Sequence, residues 1–321
     1  MITGTEYYVF DKNASDFSLD AALEQFKREG FVVLRNSFPA EQLIELQQQA
    51  ELVMSRPALN GTRGYYWKHQ KKVFDAFMLG RSAVHAILNE DIIHLSKRYL
   101  GSEINLVECF LKRDESSGEV YFPFHSDFHI GWKAKDIVGP LEQKDFDKPF
   151  ATGAMVYLHD TVDGAFCYAK GTQHLPPVEQ STLACRTAEE QQLIMDNLVR
   201  VEGKAGDIAI FDDRGFHGPD QPYISDRTVL IYDFYSQNFF GDFVKAEMPI
   251  FVSDLGGLSE LQKSALGFDA SVAFEYDDYH VHLFPRYHPR TYKMLTLVMN
   301  ICRKVARLRR QLSLRLSRLR N

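Results

Sequence analysis

From Ile104 onward the chain repeats its apolar residues with a period of two. Ile104, Leu106, Glu108, Phe110 and Lys112 alternate with Asn105, Val107, Cys109 and Leu111, as in an extended strand whose side chains point to opposite faces in turn. The turn-forming run Asp114-Glu115-Ser116-Ser117-Gly118 closes it. An aromatic stretch over 121–128 reads as the next strand, and further short runs lie at 154–158, 165–168, 208–211 and 227–235, divided by turns such as Asp163-Gly164 and Asp212-Asp213-Arg214-Gly215. No alternation of strand and long helix runs through this region. The pattern predicts an antiparallel barrel or sandwich.

Ahead of it lie helical patterns. Residues 18–29 carry Ala22, Leu23 and Phe26 on one face, with Ser18 to cap and Gly30 to stop. A second helix runs from Pro39 to about Arg56 and a third over 82–99, with the short strand Phe31-Val32-Val33-Leu34 between the first two. Thr187-Ala188-Glu189-Glu190 is a capping box that opens another helix, to about Leu198. The front helices are expected to pack on the outside of the sheet.

At 321 residues the chain is long enough to bury a sizeable core. Its four cysteines are scattered without a C-x-x-C pair, which suits a reducing, cytoplasmic setting. The net charge of −6 is uneven. Eight of the 37 basic residues fall between Arg303 and Arg320 with no acidic neighbour, which leaves 29 basic against 43 acidic residues elsewhere. A body of net −14 argues against nucleic acid as a partner.

Within the aromatic stretch stand His125 and Asp127. Two residues apart on a strand they share a face, and a second imidazole from elsewhere, such as His217, would complete a two-histidine, one-carboxylate set that leaves positions open on Fe(II). A surface pair, or a hydrogen-bonded core histidine, is the plainer reading of a lone His-x-Asp. Arg227 begins a face shared with Val229, Ile231 and Asp233. A guanidinium at the head of an inward face needs an anion: a ligand carboxylate gripped by its fork, or one of Asp207, Asp226 and Asp233.

Several segments together resemble the phytanoyl-CoA dioxygenase family of Fe(II)/2-oxoglutarate-dependent oxygenases. They are "EGFVVLRNSFPAEQL", "FLKRDESSG", "FHSDFH", "VDGAFCYAKGTQH" and "KAGDIAIFDDRGFHGPDQPYISDR". Their joint order, from about Gly30 to Tyr235 and with an arginine ten residues after the distal histidine, carries the likeness. The resemblance implies a double-stranded β-helix, a jelly-roll of the cupin type, wrapped by N-terminal helices. It implies His125, Asp127 and His217 as iron ligands, Arg227 on the far carboxylate of 2-oxoglutarate, and Lys112 as a further contact of that cosubstrate. O₂ would be the oxidant, with succinate and CO₂ released, and a small organic or lipid-linked metabolite the substrate. Asp127 matters within the family, because related halogenases lack this carboxylate; its presence favours hydroxylation. "AKGTQH" departs from the usual Pro-Gly-Ser-His, and 133–149 is longer than in typical relatives. The rival expectation is a catalytically silent barrel that binds or scaffolds. A cupin-like isomerase or lyase would leave Arg227 without a purpose.

Residues 1–290 are expected to form one oxygenase domain, with a helical flank at 18–100 and a core at about 104–235. His129 is a candidate spare ligand or substrate contact, and His159 and His174 read as structural. His280, His282 and His288 lie near Asp277 and Asp278, a weak pattern for a second metal. The 133–149 loop is either a lid or a passive excursion. Residues 236–290 are expected to cover the barrel or to wall the substrate pocket. In the segment 291–321, Leu295, Val298, Ile301, Val305, Leu308, Leu312, Leu316 and Leu319 recur every three or four residues among arginines. That is a basic amphipathic helix, suited to the inner face of an anionic membrane, to a coiled coil, or to folding onto the acidic body.

Overall fold

In the computed structural model, the described residues are 6–55, 64–67, 69–74, 76–133, 139–241 and 256–266, with Met294, Leu297 and Ile301. Ser18 opens α1 (Leu19–Glu29) by accepting the Ala21 N–H at 3.3 Å, and Gly30, with a φ of 81°, ends it. Helix α2 spans Ala40–Met54. The expected helix over 82–99 is two helices, α3 (Arg81–Ile87) and α4 (Glu90–Leu100). Asn89 causes the break. Its side chain accepts the N–H groups of Asp91 and Ile92 and donates to the carbonyl of Ser37 at 2.8 Å, so it caps a new helix. Thr187 and Glu190 cap α5 (Ala188–Asp196) reciprocally, as the sequence predicts.

Eleven strands are described: β1 (Val9–Asp11), β2 (Phe31–Arg35), β3 (Gly64–Trp67), β4 (Gln70–Val73), β5 (Ile104–Asp114), β6 (Ala151–Tyr157), β7 (Phe166–Ala169), β8 (Leu198–Val201), β9 (Ile208–Asp212), β10 (His217–Pro219) and β11 (Arg227–Ser236). Eight form one sheet in the order β1-β2-β9-β6-β11-β5-β4-β3, and three form another, β10-β7-β8. All pairings are antiparallel except β1 with β2.

Strand alternation divides the labour of the large sheet. Leu230, Tyr232 and Phe234, with Ile208, Ile210, Ala154 and Val156, pack against Leu23, Phe26, Ile92 and Leu95 of the helices. The opposite face carries Val229, Met155, Tyr157 and Phe211, which pack against Phe166, Tyr168, Val199 and Val201 of the small sheet. The result is the expected α+β arrangement, a two-layered β core with N-terminal helices on its outer side.

The 121–128 stretch departs from expectation. It is irregular, with bends at Phe122 and Asp127, and only His125 makes β-bridges, to Thr182 and His217. Its backbone bonds go to separate segments: Ser126 N–H to Ser181 and Asp127 N–H to Asp213, each at 2.9 Å. The hairpin of β3 and β4 was not anticipated. The described part of the 133–149 loop is held down, with Leu141 buried and Phe146 packed beside Phe150.

His280, His282 and His288 lie outside the described residues, as do most of 242–293 and nearly all of the basic tail. Met294, Leu297 and Ile301 are helical and exposed. Among the described residues, no helix is long and apolar enough to cross a membrane.

Candidate active site

The site is assembled at the end of the turn between β9 and β10. Asp212 is fully buried and receives hydrogen bonds from Arg214 Nη2 at 2.7 Å and from the Tyr99 hydroxyl at 2.6 Å. Gly215 lies against Tyr168, whose hydroxyl donates to the Asp212 carbonyl at 3.0 Å. Thr172, in the segment that departs from the family pattern, accepts the Phe216 N–H at 2.9 Å. Gly171 turns that segment with a φ of 75°. The turn is thereby pinned, and the strand leaves it at His217.

His217 pairs with His125 through backbone hydrogen bonds in both directions. Each imidazole holds Nδ1 at 3.0 Å from a backbone carbonyl, Pro123 for His125 and Gly215 for His217. With the proton at Nδ1, Nε2 is left as a lone pair. Both Nε2 atoms lie 3.3 Å from the Asp127 carboxylate, His125 on Oδ1 and His217 on Oδ2. The three ligand atoms fall within 4.8 Å of one another, and no other group of three His, Cys, Asp or Glu among the described residues is so spaced. When Nε2 is protonated as well, each imidazolium can donate to Asp127: burial raises the Asp127 pKa, but His217 and the hydrogen bonds from both rings outweigh it and hold the carboxylate well below its usual range. Burial lowers that of His217, and Asp127 more than offsets it, for a net rise.

These groups line a cavity of about 380 Å³. Arg227 and Lys112 line it too, both buried. The anion facing Arg227 is none of the three aspartates expected. Asp207 is taken by Arg35 at 2.7 Å, Asp226 accepts the Ser116 N–H, and Asp233 stands at the other end of β11. Arg227 instead donates to Asp114 Oδ2 at 2.8 Å and to the Gly164 carbonyl at 2.6 Å, while its Nε is buried without a partner. Asp114, fully buried, also meets Lys112 at 3.2 Å and accepts from Gln70 and Tyr121 at 3.0 Å. Two cations share one carboxylate, so this end of the cavity carries one net positive charge. Burial depresses the Lys112 pKa to about 8, against the pull of Asp114.

The other end is acidic. Glu108, Asp213 and Asp233 line it. Burial pushes the pKa of Asp213 and of Asp233 well up, and the neighbouring carboxylates add to the rise.

The sequence-predicted set of His125, Asp127, His217, Arg227 and Lys112 therefore lines one cavity. His129 does not join it; its Nδ1 meets the Ile130 carbonyl at 2.9 Å. His174 sits at 3.3 Å from the Lys27 carbonyl. Asp114 reads in sequence as the start of a turn, although its spacing of two from Lys112 places it on the same strand face. Asp213 lay inside another turn and carried no signal.

The family model described as phytanoyl-CoA dioxygenase matches residues 26–221. Solved structures share the fold at low identity. EctD from S. alaskensis with 2-oxoglutarate and 5-hydroxyectoine is 17% identical, with a TM-score of 0.54 over 74% of this chain and 81% of that one. The same protein with bound Fe is 19% identical, with a TM-score of 0.52 over 74% and 82%. The epimerase SnoN in complex with Fe³⁺, alpha ketoglutarate and nogalamycin RO is 18% identical, with a TM-score of 0.50 over 68% and 83%. No curated protein matches the chain in sequence.

Proposed function

Because this chain belongs to the phytanoyl-CoA dioxygenase family, we propose that His125, Asp127 and His217 hold Fe(II) and that Arg227 and Lys112 receive 2-oxoglutarate, in an oxygenase that hydroxylates a small molecule. The convergence of two Nε2 lone pairs and one carboxylate carries this reading. The donor set is the one that suits Fe(II) with open positions. The cosubstrate end fits as well, since the buried Nε of Arg227 lacks a partner and one net positive charge awaits a carboxylate. When bound, iron and 2-oxoglutarate supply oxidative chemistry, in which O₂ is consumed and succinate and CO₂ are released.

The residues of the chain perform positioning. The carbonyls of Pro123 and Gly215 fix the imidazole tautomers, so that both rings offer Nε2. Asp114 aims the guanidinium and keeps Lys112 charged near neutrality against its burial. Phe110, Phe211, Ile231 and Met155 supply apolar walls to the cavity, which disfavour water beside a bound substrate.

Succinate release measured across a metabolite panel tests this function. Release that requires both iron and a particular small molecule supports it, and none with any compound argues for the silent binding barrel. An intact ligand set disfavours that rival. The basic segment 295–320 is proposed to attach the protein to an anionic lipid surface in the cytoplasm or to a second helix. Co-sedimentation with anionic liposomes, comparing the full chain with one ending at Asn300, separates these, since equal binding removes the lipid role.

A further inference from the structure

Glu108, Asp213 and Asp233 take no part in holding iron or 2-oxoglutarate under this reading, yet they line the same cavity. The strand register builds them into a row. Asp233 of β11 stands opposite Glu108 of β5 on one side and Gly153 of β6 on the other. Gly153 in turn faces Phe211 of β9, two residues before Asp213. A Cβ at position 153 would lie 2.6 Å from Asp213 Oδ1, so the missing side chain is the room this carboxylate uses.

Three carboxylates face one cation: Lys72, which also lines the cavity, pairs with Glu108 and leaves Asp213 and Asp233 without a cation of their own. Asp213 is 2% exposed, its Oδ1 is buried without a hydrogen-bond partner, and the neutral Gly153 N–H is the one group among the described residues that eases its charge. No hydrogen bond or ion pair among the described residues engages the Asp233 carboxylate. Lys72 meets Glu108 at 3.3 Å and is thereby committed. Arg214 is committed to Asp212. Arg227 and Lys112 are held by Asp114, and Arg227 lies six residues away along β11, about 20 Å for an extended strand. Like charges opposed across a ladder destabilise it, and a buried unpaired carboxylate costs more. Such a row is a reasonable construction when a positive group enters the cavity and completes it. A bare metal ion is a poor match, since only the His125, Asp127 and His217 atoms are suitably spaced among the described residues. An organic cation can meet several carboxylates at once, through the N–H donors of an ammonium or the spread charge of a quaternary centre, and Tyr235 and Trp132 also line the cavity as faces for it.

We propose that the substrate carries a protonated amine or a comparable organic cation, and that Asp213 and Asp233, with Glu108 beside them, bind that group. As the substrate class of the oxygenase, this inference rests on the function proposed above. The binding itself does not depend on it.

The test is saturation-transfer NMR on the full chain with matched probes: choline against 3,3-dimethyl-1-butanol, and putrescine against 1,4-butanediol. The expected result is that each cation binds roughly tenfold or more tightly than its neutral isostere. That preference should vanish in Asp233→Asn and shrink in Asp213→Asn. Both variants should melt no lower than the wild type, because each replaces a carboxyl whose ionisation is disfavoured in the cation-free cavity by an isosteric amide. Equal binding of cation and isostere overturns the proposal, and so does a preference that survives in the double variant. Competition by Mg²⁺ that is lost in the same variants also overturns it, by making the row a metal site. Should a variant fail to fold, the probe pairs on the wild-type chain still decide. Cation preference without any iron–cosubstrate absorption would sink the oxygenase and leave this inference standing; absorption without cation preference does the reverse.

Discussion

His125 and His217 exchange both backbone hydrogen bonds, His125 N–H to the carbonyl of His217 at 3.0 Å and the reverse at 2.8 Å. Residues so paired in antiparallel register project their side chains to one side. The two imidazole centroids are consequently 4.8 Å apart, before any ion is considered. The histidine pair is set by main chain, and only the Asp127 carboxylate is placed by the bend that follows.

Asp127→Ala should therefore leave the histidine pair standing and remove the anionic ligand. We expect 2-oxoglutarate turnover to fall by more than the roughly 10–100-fold that an outer-shell partner costs, while the metal-free chain keeps a cooperative melt. Succinate assays and thermal denaturation check this together. Turnover at the wild-type level would count against Asp127 as a ligand.

Asp114→Asn strips the shared anion from Arg227 and Lys112, both buried. Removing one partner of a buried pair costs about 3–5 kcal/mol, and urea unfolding should register a loss of that order. Added 2-oxoglutarate should restore more stability to this variant than to the wild type, since it supplies a carboxylate.

Lys112 sets a pH dependence. Its pKa is depressed to about 8 by burial, so the cation is present below that value and lost above it. Affinity for 2-oxoglutarate should weaken as pH rises through about 8, and Lys112→Met should flatten the profile. Between that pKa and the ordinary lysine value of 10.5 the unfolded chain binds the extra proton, so this residue makes stability rise with pH there. Isothermal titration across the range measures the first effect and denaturation the second.

Gly215→Ala tests the pinned turn. The new Cβ would fall 1.8 Å from the Tyr168 hydroxyl oxygen, a contact relieved only by displacing the buried Tyr168 ring or the turn that leads to His217. Overpacking of this kind costs about 1–3 kcal/mol, and iron affinity should drop with it. Tyr168→Phe in the same chain should recover part of both losses.

Much of this arrangement was readable beforehand, for physical reasons. Alternation along 104–112 and 227–235 marks which side chains face inward, and that places Lys112, Arg227 and Asp233 on the cavity side of their strands. Capping at Ser18 and Thr187 is local chemistry, and both side chains cap their helices in the structure. Asn89 was missed because its capping role competes with an otherwise continuous apolar pattern. The 121–128 stretch looked like a strand because its side chains are those of one. Its hydrogen bonds, however, go to Ser181, Asp213 and His217, partners that no local pattern specifies. Asp114 and Asp213 were hidden for the same reason, since a carboxylate beside glycine or serine resembles any turn.

The most direct measurement is anaerobic visible absorption of the full chain titrated with Fe(II) and 2-oxoglutarate. The account predicts a weak charge-transfer band that needs both components, saturates at one iron per chain, and is lost in His217→Ala. A wild-type chain that binds neither component, or shows no band when both are saturating, would contradict it.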